Sequence, residues 1–549
     1  MKKLVSLVLA LVMILSLVPA ALASNFNEPG VAPIFKEKET LTIGVRNHAN
    51  VIDFNTNDTT LYYEDLLNVD LQFEVYSAEM NTQLTMAITA GTELPDILFT
   101  KSVNAELMFQ WAQAGAIIPL NEYYEKYGYY TQDAIERTGV DFIKMMYSPD
   151  GNIYTLPNYN QSMVNECRDR IWFYRPWLEK LNLEVPTNAE ELYNVLKAFK
   201  EQDPNGNGQA DEIPLMSHAS AAGAESDSWW RAIMNMFMYY PYNNYSLNDG
   251  VVSYATVSDT YREGLKYIRK LFDEGLVDPM SFTADENQLK ALCVSETPVI
   301  GMTVGNDAEV PLTGPETELW VLASPFKNAA GEMSTSFNAS VPGVNVMITS
   351  WCKNPEAAFR FCDYLYHVDH SVTGQYGVKG VKWDWASELE STEGYRASYY
   401  FCTDYPPSYY DIGDNVWGTV QNNSWYSHSN FARSKSIVSG KLVVIDDEKT
   451  RANELKHNER YVDYFAAYPE EGEYIPMLTY TAEETEMTAM ARADLETYMA
   501  TARTAFMLNK DGMDIYSDAA WEAYLNQCKV IGIDLVTEAM QAAYDRMYK

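Results

Sequence analysis

Asp203, Asn205, Asn207 and Asp211 set oxygen-bearing side chains at alternate positions of the stretch Asp203-Pro-Asn-Gly-Asn-Gly-Gln-Ala-Asp-Glu212. Gly206 and Gly208 between them let the chain curl. That spacing suits a hard divalent cation. Calcium takes six to eight oxygens at about 2.3–2.6 Å, and in an EF-hand-like loop positions one, three and five give side chains while position seven gives a backbone carbonyl. Counted from Asp203, position seven is Gln209, and the usual Glu of position twelve is replaced by Pro214. Glu212 is then the candidate closing carboxylate. The expected role is structural, a Ca2+ ion pinning a loop; the plainer alternative is a Gly/Asn turn.

A second set of residues could hold a polar solute. Aromatic residues make up 13% of the chain, with 40 Tyr and 12 Trp. An aromatic ring can cover the C–H face of a sugar, and it can equally fill a core. Trp229 and Trp230 are adjacent, Trp383 and Trp385 bracket Asp384, and Trp417 and Trp425 flank Asn422 and Asn423. Neighbouring side chains on a helix point in different directions, so only one of Trp229 and Trp230 is expected to face a ligand. Asp53, Asn55 and Asn57 follow the first apolar strand, where parallel sheets place ligand loops; they read as hydroxyl binders or as turn formers. Asp96 reads as fixing the turn at a strand start. No P-loop, HExxH, GxSxG or dinucleotide-binding glycine pattern is present, and the chain has only 6 His. A glycosidase-type carboxylate pair remains possible among 76 Asp and Glu.

The elements that must position these residues are legible at both ends. Leu41–Val45 and Leu71–Val75 read as strands, with a short helix over 61–67 between them. Ser77 is placed to cap a helix that carries Leu84, Ala87 and Ile88 and stops at Gly91; Asp96–Phe99 is a third strand. Strand, helix, strand, helix, strand implies a parallel sheet covered by helices. Ile171–Tyr174 starts a second region in the same style, and Pro176 suits the first turn of a helix. Thr187/Glu190, Thr283/Glu286 and Thr481/Glu484 have capping-box spacing. From about 480 the pattern is helical.

Lys2, Lys3, the apolar run Leu4–Val18 and Ala21-Leu-Ala23 form a secretory signal pattern. Residues 1–24 are expected to be the signal and 25–39 a linker. The first cysteine is Cys167, so a lipidated cysteine after the signal is not supported, and the protein is expected outside the cell or in a periplasm. A net charge of -36 argues against nucleic acid and anionic lipid as partners. About 525 remaining residues exceed one core and imply at least two domains. Export permits disulfides, but the six cysteines show no readable pairing.

Several segments in order resemble the extracellular solute-binding proteins of ABC importers, in the subgroup linked to oligosaccharide uptake. They are Gly91-Thr-Glu-Leu-Pro-Asp-Ile97, Asp150-Gly-Asn-Ile-Tyr-Thr-Leu-Pro157, the stretch Trp172–Thr187, the Asp203–Glu212 loop, Glu263–Tyr267, Leu271–Pro279, Lys353–Ala358 and Gln541–Arg546. Asn182 stands where that family usually has Gly, and it tolerates the left-handed helix end.

The resemblance implies an α/β, two-lobed periplasmic-binding-protein-like fold (type II), with discontinuous lobes joined by hinge strands and a helical C-terminal part. The expected N-terminal lobe is 40–165 plus about 295–375. The expected C-terminal lobe is 166–294 plus about 376–549. It further implies ligand in a cleft, hinge closure, calcium at the loop as in some members, and ABC permease subunits as partners of a monomer. The leading expectation is oligosaccharide capture without catalysis. Capture of a peptide or other polar solute, and a secreted glycan-degrading enzyme, are the alternatives.

Overall fold

In the computed structural model, the alternation Leu41, Ile43, Val45 becomes a strand whose three apolar side chains are buried. The structure describes residues 24–100, 103–161, 166–218, 229–295, 297–305, 319–385, 399–401, 420–425, 431–434, 441–442, 462–470, 472–475 and 477–549. The strands run in chain order β1 Glu39–Arg46, β2 Val69–Tyr76, β3 Ile97–Phe99, β4 Leu156–Asn160, β5 Arg170–Tyr174, β6 Ile213–Leu215, β7 Tyr245–Asn248, β8 Val251–Tyr254, β9 Ile300–Gly305, β10 Trp320–Leu322, β11 Gly343–Ile348, β12 Trp383–Trp385, β13 Tyr399–Phe401, β14 Ala432–Arg433 and β15 Lys441–Leu442. Two compact units emerge: Met1–Asn160 with Pro342–Trp383 and Trp417–Arg433, and Gln161–Val341 with Asp384–Val416 and Ser434–Lys549.

The first unit is built on a six-stranded sheet of order β14-β4-β11-β3-β1-β2. β1 runs parallel to both β2 and β3, as the alternation of strands and helices requires. The helix Asp58–Leu67 starts on Asn57, whose side chain accepts from Thr59 N, and ends on Asn68 in the left-handed conformation at φ 58. The helix Met80–Ala90 stops at left-handed Gly91 as expected, but Ser77 does not cap it. Instead Ser77 Oγ accepts from Glu79 N and donates to Gln83. Asp96 has the positional role expected of it. Its carboxylate accepts from Thr42 N at 2.9 Å and Thr42 Oγ1 at 2.7 Å, tying the start of β3 to β1. The stretch 25–39 is not a free linker. Ile34 and Phe35 are buried in the first core, and Phe35 N donates to Leu67 O, because two large apolar side chains are worth about 1.5–3 kcal/mol each when covered.

The second unit carries a four-stranded sheet of order β10-β5-β9-β6. The helix Asp259–Asp273 buries Tyr261, Leu265, Ile268 and Leu271, one helical face, and packs on the helix Ala482–Leu508. Helices Asp518–Ile531 and Ile533–Tyr548 complete the helical C-terminal part. The lobe boundaries differ from expectation chiefly in two segments. Residues 295–341 belong to the second unit, because β9 is the inner strand between β5 and β6. Residues 417–433 belong to the first, because β14 pairs with β4. Cys293, Cys352, Cys362 and Cys528 are free and buried, and Cys167 is buried; Cys402 lies outside the described residues. Among the described residues no helix is long and apolar enough to cross a membrane.

Candidate functional site

Strand direction decides where the polar ends of each sheet lie. β4 and β3 are each antiparallel to β11, and β14 is parallel to β4. The carboxyl ends of β1, β2, β3, β4 and β14 therefore share one end of the first sheet. The chain leaves this unit just after β4 and just after β14, and re-enters just before β11, all at that same end. Polar side chains collect there. Asn345, Gln375, Thr373 and Arg433 are buried, and Asn160 closes β4. The loop that follows β1 also lies at this end.

The second unit repeats the arrangement. β5 is antiparallel to β9, with Arg170 opposite Gly305, and β6 is parallel to β9. The carboxyl ends of β6 and β9 thus meet the amino end of β5, where the chain has just entered the unit. Glu166, Asp169, Arg170, Ser217, His218, Arg231, Asn235 and Thr303 are all buried. Arg231 is held to Asp169 by Nε at 2.7 Å and Nη2 at 3.3 Å, with its guanidinium 4.3 Å from the Tyr242 ring centre. Asn235 donates to Ser336 Oγ at 2.8 Å, and Ser340 donates to Glu166 at 2.8 Å. Such polar strand ends are where open α/β sheets present ligand groups.

The residues singled out from sequence fall differently. Trp229 and Trp230 are both core residues: Trp229 sits edge-on to Phe272 and Phe282, Trp230 against Tyr240 and beneath Arg503. Adjacent positions do send them apart, but into two halves of one core. Trp425 is completely buried among Tyr63, Phe73, Phe99 and His370, and its Nε1 donates to Thr60 Oγ1 at 2.8 Å. Trp383 is also completely buried, with Nε1 donating to Gly377 O. Trp385 is half-buried, and Trp417 lies outside the described residues. Asp53, Asn55 and Asn422 are joined in a hydrogen-bonded clamp, with Asn55 exposed and Asp53 and Asn422 half-buried. Asp53 accepts from Asn55 N and Thr56 Oγ1, Asn55 bonds both N–H and C=O of Phe73, and Asn422 bonds Asp53 N and Thr56 O. Sequence reasoning passed over Arg170, Arg231, Gln375 and Arg433. The signal was present in charged residues set against apolar runs, as in Arg170-Ile-Trp-Phe-Tyr174 and Phe431-Ala-Arg433.

The Asp203 loop curls as its glycines allow. Gly206 and Gly208 have φ 78 and 74, and Asp203 itself is at φ 47. Asp203 accepts from Gly206 N and Gly208 N; Asn205 and Asn207 turn their amide N–H groups onto Asp211. Those two amides hold the Asp211 carboxyl below its ordinary range. Burial, then the charges of Asp211 and Asp203, push that of Glu212 up, and Glu212 Oε1 is buried without a hydrogen-bond partner. Among the described residues, however, no group of three or more His, Cys, Asp or Glu side chains is gathered as a metal centre requires. As placed here, the loop therefore does not display the expected Ca2+ site: Asp203 is spent on backbone N–H groups and Asp211 on amides.

Residues 63–368, more than half of the chain, match the bacterial extracellular solute-binding proteins. The chain belongs to that family. Along its length it is similar to the fructooligosaccharide ABC transporter substrate-binding protein FusA of Streptococcus pneumoniae, with 24% identity over 548 residues, 96% of this chain and 94% of that one. Its fold is similar to an extracellular solute-binding protein from Bifidobacterium longum subsp. infantis (TM-score 0.73, 22% identity, 93% and 99% of the two chains). It is also similar to an EF-hand mutant of S. pneumoniae FusA in complex with fructo-nystose (TM-score 0.67, 23% identity, 92% and 99%). This solute-binding protein therefore has the type II periplasmic-binding fold that the resemblance implied, and family membership makes it an exported protein.

Proposed function

We propose that this protein captures an oligosaccharide outside the cell, does no chemistry on it, and delivers it to the permease subunits of an ABC importer. The observation that carries this reading is end-to-end similarity to a protein named for fructooligosaccharide transport. The polar strand ends support it: buried Arg, Asn, Gln, Ser and Thr side chains are hydrogen-bonding groups suited to sugar hydroxyls. Residues 1–24 act as the secretory signal, and the mature protein works as a monomer. A thermal-shift series of the mature protein against fructans, uronate oligosaccharides and peptides tests it. A ligand that binds only the folded state raises Tm. A rise with one saccharide class and no released product is expected. A rise only with peptides, or product appearing on chromatography, overturns the reading.

Calcium belongs to the same proposal. Asp203, Asn205, Asn207, Asp211 and Glu212 supply side-chain oxygens and Gln209 its carbonyl. The ion replaces the amide N–H groups on Asp211 and gives the buried Glu212 Oε1 a partner. Gly208 fits the sharp turn at the sixth position. Calcium is expected to raise Tm reversibly, with chelator restoring the lower value and Glu212→Gln removing most of the increment. An increment equal in the variant overturns this ligand set.

A further inference from the structure

Arg433 ends β14, a two-residue edge strand, and is only 6% exposed. Its partner is neutral: Nη1 donates to Gln375 Oε1 at 2.6 Å. Among the described residues no carboxylate pairs with it. Arginine is rarely buried unless paired, since a charge taken out of water without a counter-charge is costly. The neighbourhood compounds the deficit. Arg433 Nε, Gln375 Nε2, Asn160 Oδ1 and Thr373 Oγ1 are all buried and without hydrogen-bond partners. Asn160 lies opposite Arg433 in the β4–β14 register. Thr373 and Gln375 share the helix His370–Tyr376, which is tied to β14 by the hydrogen bond from Ser371 Oγ to Ala432 O at 2.6 Å. Native folds leave few buried polar groups unsatisfied, and three in one corner, on Arg433, Gln375 and Asn160, call for an external partner. That corner is also the place where the chain leaves the first unit twice, after Asn160 and after Arg433.

We infer that Arg433 is the specificity-determining donor of the solute site, with Gln375 as its positioning residue. This rests on the reading of the protein as a saccharide binder. Gln375 Oε1 takes one N–H of the guanidinium and fixes its plane, leaving donors for two adjacent oxygens on a sugar ring. A vicinal hydroxyl pair and a uronate carboxylate both present that chemistry, and the planar fork suits either.

The test is titration calorimetry on the full mature protein with nystose as a neutral fructan and trigalacturonate as an acidic one, together with Tm for each variant. The unaltered protein binds at least one of the two. Arg433→Met and Arg433→Lys weaken that binding about 10- to 100-fold, the worth of hydrogen bonds to a charged group. The Tm of Arg433→Met does not fall, because an unpaired buried charge gives way to an apolar chain of similar length. Gln375→Glu supplies the missing counter-charge, so it raises Tm and weakens binding. Its effect is far larger on trigalacturonate where a carboxylate is the group bound, and similar for both probes where hydroxyls are. Unchanged affinity in both Arg433 variants overturns the assignment alone, as does a fall in Tm that parallels the loss of binding. Failure of the unaltered protein to bind either saccharide overturns the saccharide reading and this assignment with it.

Discussion

Asp169 and Arg231 show what a single buried pair does in this protein. Both are almost fully covered, and the Arg231 guanidinium lies between a carboxylate and an aromatic ring. Removing one partner breaks a buried ion pair, so Asp169→Ala is expected to cost about 3–5 kcal/mol in chemical denaturation. A cost below 1 kcal/mol would mean that water reaches Arg231. Asp363 makes a different prediction. It accepts from Tyr130 N, Thr131 N and Thr131 Oγ1, which lower its pKa, yet burial dominates and pushes the carboxyl up to about 6. Native Asp363 then holds its proton more tightly than the unfolded chain does. The stability it contributes is full below the ordinary value of 3.8 and is lost as pH rises through about 6. Relative to Asp363→Asn, the parent protein should lose up to about 3 kcal/mol between pH 4 and pH 7. A difference independent of pH would show that the carboxyl is unshifted.

At the scale of elements, close packing and caps set the tolerances. Gly301, inside β9, lies where an added Cβ would come 2.4 Å from Phe199 and 2.8 Å from Trp177. Both neighbours are buried aromatics with no room to yield, so Gly301→Ala is expected to destabilise by about 1–3 kcal/mol. Unchanged Tm would mean that the helix Ala189–Glu201 slides away easily. The capping boxes were legible in kind but not always in register. Thr481 with Glu484 forms the expected reciprocal box at the start of the long C-terminal helix. At the other two sites the cap belongs to a neighbour. Asn188 caps Ala189–Glu201 while Glu191 reaches back to Thr187, and Asp285 with Gln288 caps Glu286–Cys293. Asn and Asp compete with Thr as caps at least equally well, so spacing alone could not choose. Thr481→Ala should cost about 1 kcal/mol.

At the scale of the whole molecule, neither unit is a continuous stretch of chain. The helix Asp259–Asp273, which buries Leu265, Ile268 and Leu271, packs on Ala482–Leu508, although more than two hundred residues separate the two helices. A chain ending at residue 480 is therefore expected to aggregate or elute as an expanded species in size-exclusion chromatography. A sharp monomer peak with native circular dichroism would refute this dependence.

Local periodicity and backbone preference make the alternation of strands and helices, the left-handed helix ends at Gly91 and Asn182 and the helical C-terminal part readable from the residues alone. The chain also carries enough ordered motifs to name the family. Which tryptophans are core emerges only from the folded chain, since burial is set by what packs on a side chain rather than by its neighbours in sequence. Only strand direction decided that β9 joins the second unit and that Arg433 meets Gln375 at the end of β4. Those contacts join residues dozens to hundreds of positions apart, and no local pattern encodes them.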